Sequence, residues 1–376
     1  MTTVAVPTET RPGERRVALV PESIGRLTAL GVDVRVQAGA GVAANALDQA
    51  YRDAGASVVD GDVLAGADVV LTVNSLDVER VSTLGRGTTV VSFLAPSQSL
   101  DKVKAAQQGG ITWLSMELVP RISRAQSMDA LSSQGLVAGY RCALVAAEHL
   151  PKFFPMLMTA AGTVKPAKVV VLGAGVAGLQ AIATAKRLGA VVQAYDVRAA
   201  AADEIRSMGA KFIELDLESL EGAGGYAREM TEDRSQRQRD LLTPYITAAD
   251  AVITTAAVPG RQAPLLVTRA MVETMAPGSV VVDLAAETGG NVEGSVAGED
   301  VQIGNAMVWG GLNVPSQMPV ASSRLYSANL VAISQLFVKE GTVTMDFDDE
   351  ILDGACVTHD GQVRFGPARE ALEGGS

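Results

Sequence analysis

The chain has 376 residues, 48% of them apolar and only 19% charged, which excludes a disordered polypeptide and leads us to expect two or three domains, each with its own core. A formal charge of −11 excludes nucleic-acid binding through a broad basic surface. Two cysteines, Cys142 and Cys356, cannot staple a chain of this size, so a reduced cytosolic setting is expected.

The N-terminus, MTTVAVPTETRPGERR, lacks the basic-then-apolar layout of a signal peptide. Its opening strand runs into Glu9-Thr-Arg-Pro-Gly-Glu-Arg-Arg16, with no glycine-rich loop. A helical run from Pro21 stops at a Leu-Gly pair, where Gly31 is free to take the left-handed conformation, and a β-branched strand follows (TALGVDVRV, 28–36). Residues 53–59 (DAGASVV) repeat that device. Two near-continuously apolar strands come next, at 67–73 (ADVVLTV) and 87–94 (GTTVVSFL). A long apolar helical pattern covers 136–149.

The second half repeats this succession. A buried strand, KVVVL at 168–172, leads through Gly173-Ala-Gly175-Val176-Ala-Gly178 into a helical run. Then 186–192 (KRLGAVV, with Gly189 as the stop), 207–213 (SMGAKFI), 249–255 (ADAVITT) and 278–285 (GSVVVDLA) match the four earlier segments in order. Between the second and third matched strands the first half uses 13 residues and the second 41. The excess falls at 216–242, with glycines at its apex and a charged amphipathic continuation, and reads as a lid or a variable surface loop. The longest uncharged run, 301–323, carries prolines, glycines, asparagines and glutamines and reads as loop and strand, so no membrane span is expected. A second long apolar helical pattern covers 324–338.

Apolar strands alternating with helices predict an α/β protein of two doubly wound, Rossmann-like domains with mainly parallel sheets, joined by the two long helices. The expected division is 1–133 plus 322–376 for a discontinuous N-terminal domain, and 134–321 for a dinucleotide-binding domain with a mobile loop at about 216–242.

The chemistry lies in that second domain. Gly173 permits the tight turn, Gly175 lets backbone approach a diphosphate, and Gly178 lets helix and strand pack closely. The diphosphate would sit on the helix N-terminus, where unpaired N–H groups and the dipole favour an anion. Asp196 ends the next strand, where a carboxylate accepts from both adenosine ribose hydroxyls and repels a 2′-phosphate. NAD(H) is therefore expected over NADP(H), although Arg198 is of the type that accommodates a 2′-phosphate. The glycine pattern alone is often just a turn. Strand, glycines, helix, second strand and terminal acid in register make it a fingerprint.

With these residues quoted, the chain resembles the alanine dehydrogenase and proton-translocating transhydrogenase superfamily, through PTETRPGERRVAL, QAGAG at 37–41, the fingerprint and VVDLAAETGGN at 281–291. Alanine dehydrogenases hold their keto acid with an Arg, a Lys and a His and use an Asp near the nicotinamide. Arg16 matches the Arg, but Asn74 stands at the Lys position, Ala95 at the His position, and Glu287 at the Asp position. The remaining histidines, His149 and His359, read as ordinary helix or surface residues. Imine reduction needs a proton donor and a cationic clamp, whereas hydride passing between two nicotinamides needs only alignment and exclusion of water. The segment 120–140, PRISRAQSMDALSSQGLVAGY, is similar to the nicotinamide-side loop of the NAD(H)-binding component of the transhydrogenase.

That resemblance implies roles by position. Arg121 and Asp129 would orient the nicotinamide with its ribose and diphosphate, Ser132 would bond the carboxamide, and Gln126 would reach the second nucleotide. Val176 and Val197 would join the fingerprint contacts. Gly225 and Tyr226 lie in a loop that closes over the nucleotide, and Gly225, Gln238 and Ala257 would line the adenosine side. The implied cofactors are NAD(H) on this chain and NADP(H) on a partner subunit, with no metal. Further implications are a membrane-spanning subunit, a homodimer, and a peripheral position on the inner face of the cytoplasmic membrane. Two other readings stay open: an alanine-dehydrogenase-like amino acid dehydrogenase, and a non-catalytic NAD(H)-binding regulator.

Overall fold

The computed structural model describes residues 2–217, 231–257 and 260–374, which divide into two compact units: 2–134 with 316–374, and 135–315. Both are doubly wound α/β domains.

In the first unit the strand order across the sheet is Gln362–Val363, Cys356–His359, Thr112–Ser115, Thr89–Ser92, Val69–Leu71, Thr3–Val6, Asp33–Gln37, Ser57–Val59. The six strands contributed by the N-terminal segment are parallel, and the two from the C-terminal segment add antiparallel at one edge. Strands such as Val69–Leu71 and Thr89–Ser92 are buried throughout, as expected for a parallel sheet covered on both faces. Separate cores form on the two faces, one around Leu19, Ile24, Tyr51 and Phe337, the other around Val70, Val90, Ile111 and Trp113. The helix Pro319–Phe337 belongs to the first core, where Tyr326, Leu330, Ile333 and Phe337 are fully buried.

The second unit orders its strands Lys211–Phe212, Val191–Tyr195, Lys168–Leu172, Ala251–Thr254, Val280–Asp283, Ala306–Gly310, Asp300–Ile303, all parallel except the last. Numbered by chain order, both sheets run 3-2-1-4-5 across their shared part, so the sequence repeat is a repeat of topology up to the fifth strand; beyond it the second sheet continues with Ala306–Gly310 and then Asp300–Ile303 at the edge. The helix stops also correspond: Gly31 has φ +83° and Gly189 has φ +95°. In each sheet the order reverses between the first and fourth strands, whose carboxyl ends are the usual ligand position in such sheets.

The excess chain of the second half is partly accounted for. Its 231–242 portion opens the helix Glu232–Thr247, which crosses from the edge strand Lys211–Phe212 to the central strand Ala251–Thr254 and buries Leu242 and Ile246. Residues 218–230, including Gly225 and Tyr226, lie outside the described residues. The run 301–323 is two strands and a short 3-10 turn as expected, until the helix begins at Pro319. No helix among the described residues is long and apolar enough to cross a membrane.

Candidate functional site

At the reversal point of the second unit, strand Lys168–Leu172 turns through Gly173 (φ +97°) into the helix Val176–Arg187. A Cβ on Gly173 would lie 2.9 Å from the Ala256 nitrogen, and one on Gly178 only 1.9 Å from the Gly173 carbonyl oxygen. Both positions therefore demand glycine for packing. Gly175 differs: a Cβ there would meet nothing within 4 Å. It is the helix N-cap, and among the described residues no side chain caps the first turn there, beside a residue without a side chain of its own. A diphosphate fits that cradle on charge and on clearance. Val176, the first residue of the helix, is exposed.

Asp196 follows the neighbouring strand Val191–Tyr195. Its Oδ2 accepts the Ala174 N–H at 2.8 Å, tying it to the glycine turn. Arg198 folds back onto the same carboxylate, donating from Nε to Oδ1 at 2.9 Å and from Nη2 to Oδ2 at 3.0 Å, and Nη2 also reaches the Ala174 carbonyl at 3.2 Å. The guanidinium is thus committed to the acid it flanks, and Val197 between them is half-buried. On the adjoining side Gln238, 2% exposed, hydrogen-bonds the Tyr195 hydroxyl. Burial, then the Asp196 charge, push that phenol up to about 12, so it stays protonated and able to donate. Ala257 is exposed just beyond the strand Ala251–Thr254. A cavity of about 240 Å³ opens between Glu232, Ser235, Gln238 and Arg239 on one wall and Pro264, Leu265 and Leu266 on the other.

Two residues that sequence reasoning passed over complete this region. Thr255 donates its hydroxyl to the Gly173 carbonyl at 3.1 Å, and Asn291 holds the backbone of Ala256. Both stood inside quoted segments, but nothing local distinguishes them from neighbouring polar residues.

The first unit handles its reversal point differently. Glu9 lies there and accepts from the N–H groups of Val73 (2.6 Å) and Asn74 (3.1 Å) and from the Asn74 side-chain amide (2.9 Å). Burial raises its carboxyl above the ordinary value despite those bonds. Asn74 also donates to Glu14 at 3.0 Å. Glu14 grips Arg16 in a two-pronged ion pair, Nε to Oε1 at 2.8 Å and Nη2 to Oε2 at 2.7 Å, while Arg16 Nη1 donates to Gln134 Oε1 at 3.0 Å. The protein's own carboxylates, Glu9 and Glu14, take up the donors at this reversal point. Arg16 is already neutralised, and Asn74 supplies donors where a lysine would supply charge. Ala95 takes a positive φ of 52°.

The segment around residue 120 belongs to this unit as well. Arg121 and Gln126 are exposed, Gln126 on the 3-10 turn Ser123–Met128. Asp129 caps the helix Ala130–His149: its Oδ1 accepts the Ser132 N–H at 2.8 Å and its Oδ2 the Ser132 hydroxyl at 2.6 Å. Asp129 and Ser132 are therefore brought together. Of the remaining candidates, Glu287 accepts the Asn313 N–H at 2.7 Å, His149 is exposed at the end of its helix, and His359 contacts Thr112 Oγ1 through Nδ1 at 3.0 Å. Cys142 and Cys356 are buried and unbridged. Among the described residues no group of His, Cys, Asp and Glu is arranged to hold a metal ion.

Residues 5–138 match the family model described as alanine dehydrogenase/PNT, N-terminal domain, and residues 142–366 the one described as alanine dehydrogenase/PNT, C-terminal domain. A Rhodospirillum rubrum protein, named as the first portion of NAD(P) transhydrogenase subunit alpha, is 45% identical over 372 residues, covering 96% of this chain and 97% of that one. The crystal structure of a transhydrogenase from Sinorhizobium meliloti superposes with a TM-score of 0.88 at 43% identity, covering 96% of this chain and 99% of that one. An alanine dehydrogenase from Mycobacterium tuberculosis is 34% identical over 297 residues, 78% of this chain and 74% of that one.

Proposed function

The chain belongs to the alanine dehydrogenase/PNT family, and from that premise we propose that it is the NAD(H)-binding component of a proton-translocating NAD(P) transhydrogenase. The observation that carries the reading is the contrast between the two reversal points. One presents an uncapped helix N-terminus beside an open Gly175, and at the other Glu9, Glu14 and Arg16 are engaged with the protein's own groups. A dehydrogenase of amino acids needs a cation for the substrate carboxylate and an acid for the imine nitrogen. Here Arg16 is spent on Glu14, and positions 74 and 95 carry neither cation nor acid. A nucleotide-to-nucleotide reaction needs neither.

NADH, when bound, supplies the hydride that passes to NADP+ on a separate subunit, leaving NAD+ and NADPH. The chain's own residues bind and align. The helix Val176–Arg187 receives the diphosphate, and Asp196 accepts from the adenosine ribose hydroxyls. Asp196 holds the Arg198 guanidinium against itself, so that cation is engaged rather than turned to a 2′-phosphate. In the 121–132 segment, Arg121 and Asp129 orient the nicotinamide side. Ser132 has its hydroxyl proton committed to Asp129, so its lone pairs remain to accept, and a carboxamide NH₂ is the matching donor. Gln126, exposed, offers its amide to the second nucleotide. The same reading makes the chain a homodimer peripheral to the membrane, with the proton path in the membrane-spanning partner.

The test is to titrate NADH by calorimetry, then to assay hydride transfer to NADP+ with and without an NADP(H)-binding partner subunit. NADH binding with turnover only when the partner is present is expected. Efficient reduction of pyruvate with ammonia by this chain alone would overturn the reading in favour of an amino acid dehydrogenase. Binding without transfer, even with the partner supplied, would make the chain a regulator.

A further inference from the structure

We propose that Asn291 is the positioning residue for the adenosine-side wall of the second unit's nucleotide site; the proposal rests on the nucleotide reading above. Asn291 is fully buried, on the segment that follows strand Val280–Asp283. Its polar groups are all engaged. The backbone N–H donates to both oxygens of the buried Asp283 (3.2 and 3.1 Å), and the backbone carbonyl accepts from Leu266 and Val267 (2.9 Å each). In the side chain, Oδ1 accepts the Ala256 N–H at 3.1 Å, and Nδ2 donates to the Ala256 and Pro264 carbonyls at 2.8 Å each.

The amide therefore pairs with the peptide of residue 256 as the backbone of a neighbouring strand would, just where the chain leaves the sheet after Ala251–Thr254. Both peptides it holds face the nucleotide site. Ala256 presses on the glycine turn, its nitrogen 2.9 Å from where a Gly173 Cβ would stand, and it precedes Ala257. Pro264 lines the cavity opposite Gln238. Asp283 anchors the clamp, accepting also from the Thr254 hydroxyl (2.9 Å) and the N–H groups of Ala285 (3.1 Å) and Val292 (3.2 Å). Only an amide satisfies this arrangement. A carboxylate at 291 would face two carbonyls with no proton to give, and an apolar side chain would leave two carbonyls and an N–H buried and unpaired.

The probe is ADP-ribose, which carries the adenosine half of the dinucleotide without the nicotinamide. Asn291→Ala is expected to weaken ADP-ribose and NADH by the same factor, about tenfold, as the wall loses its fixed position. Val267→Ala, which trims a fully buried apolar side chain and leaves the Asn291 amide in place, is expected to lower Tm while leaving both affinities within about twofold. Equal loss of affinity in Val267→Ala at matched Tm would mean that Asn291 is merely structural and would overturn the proposal, as would unchanged ADP-ribose affinity in a folded Asn291→Ala. A second measurement needs no variant. Saturating ADP-ribose should slow amide hydrogen exchange at Ala256, Leu266 and Val267, whose N–H groups all end on Asn291, and unaltered exchange there would also overturn it. If the parent protein binds neither ADP-ribose nor NADH, the nucleotide reading itself falls; if it binds both and these signatures are missing, only the role of Asn291 falls.

Discussion

Glu14 and Arg16 are two positions apart, and their side chains have relative exposures of 0% and 5%. Burial works against a charged Glu14, but the Arg16 guanidinium and the Asn74 amide outweigh it and hold the carboxyl down at about 2. A depressed folded pKa contributes stability that is present above the unfolded value near 4.5 and lost as pH falls toward 2, an amount of about 3 kcal/mol at neutral pH. Glu9 has the opposite sign. Its raised pKa contributes stability below the unfolded value that is lost as pH rises through the folded one. Urea unfolding of the parent and Glu14→Gln should therefore show a wide gap at pH 7 that falls to about half or less by pH 3. A gap that does not change with pH would show that the ion pair is not its source. The resemblance alone marked Arg16 as a carboxylate clamp. Its neutralisation was not legible, because Asn74 reaches Glu14 from 60 positions away and Gln134 reaches Arg16 from 118.

At the scale of elements, the strand–glycine–helix unit was the most legible stretch of the chain, since its signals lie within about thirty residues and each answers a local backbone demand. Its glycines do different work, and substitution separates them. Gly178→Ala places a methyl against the Gly173 carbonyl and should destabilise the protein by about 1–3 kcal/mol, read as a lower Tm without ligand. Gly175→Ala meets nothing and should leave the unliganded Tm near the parent's while weakening NADH by about tenfold or more, read by calorimetry. Loss of stability in both with equal loss of binding would contradict the distinction. The crossover helix Glu232–Thr247 was less legible, for a physical reason. Its buried positions include Gln238 and Arg239 beside Leu242 and Ile246, and it contains Pro244, so the apolar period that announces a helix is broken. Charge and length alone suggested an insertion.

At the scale of the molecule, the two units differ in how the chain builds them. Residues 135–315 are one continuous stretch, whereas the other unit needs chain from both ends. The C-terminal stretch supplies Tyr326, Leu330, Ile333 and Phe337 to the core, and Tyr326 both stacks on Phe93 (5.3 Å) and donates to the Thr72 carbonyl (2.9 Å). A fragment of residues 135–315 should therefore fold with a cooperative thermal transition, while 1–134 alone should not, recovering a transition only when 316–376 is added. Circular dichroism and amide NMR dispersion check both, and a cooperatively folded 1–134 fragment would refute the expectation.

The sequence by itself determined the α/β class, the repeated strand succession and the glycine cradle with its acid, because each depends on periodicity or backbone freedom within a short window. Only the tertiary structure decided that, among the described residues, one reversal point keeps an uncapped helix N-terminus while Glu9, Glu14 and Arg16 are engaged with the protein's own groups at the other, and that Asn291 holds Ala256 and Pro264. Those outcomes rest on which buried donors and acceptors meet at the ends of neighbouring strands. That pairing is imposed by the sheet order across tens of residues, and no local pattern in the chain encodes it.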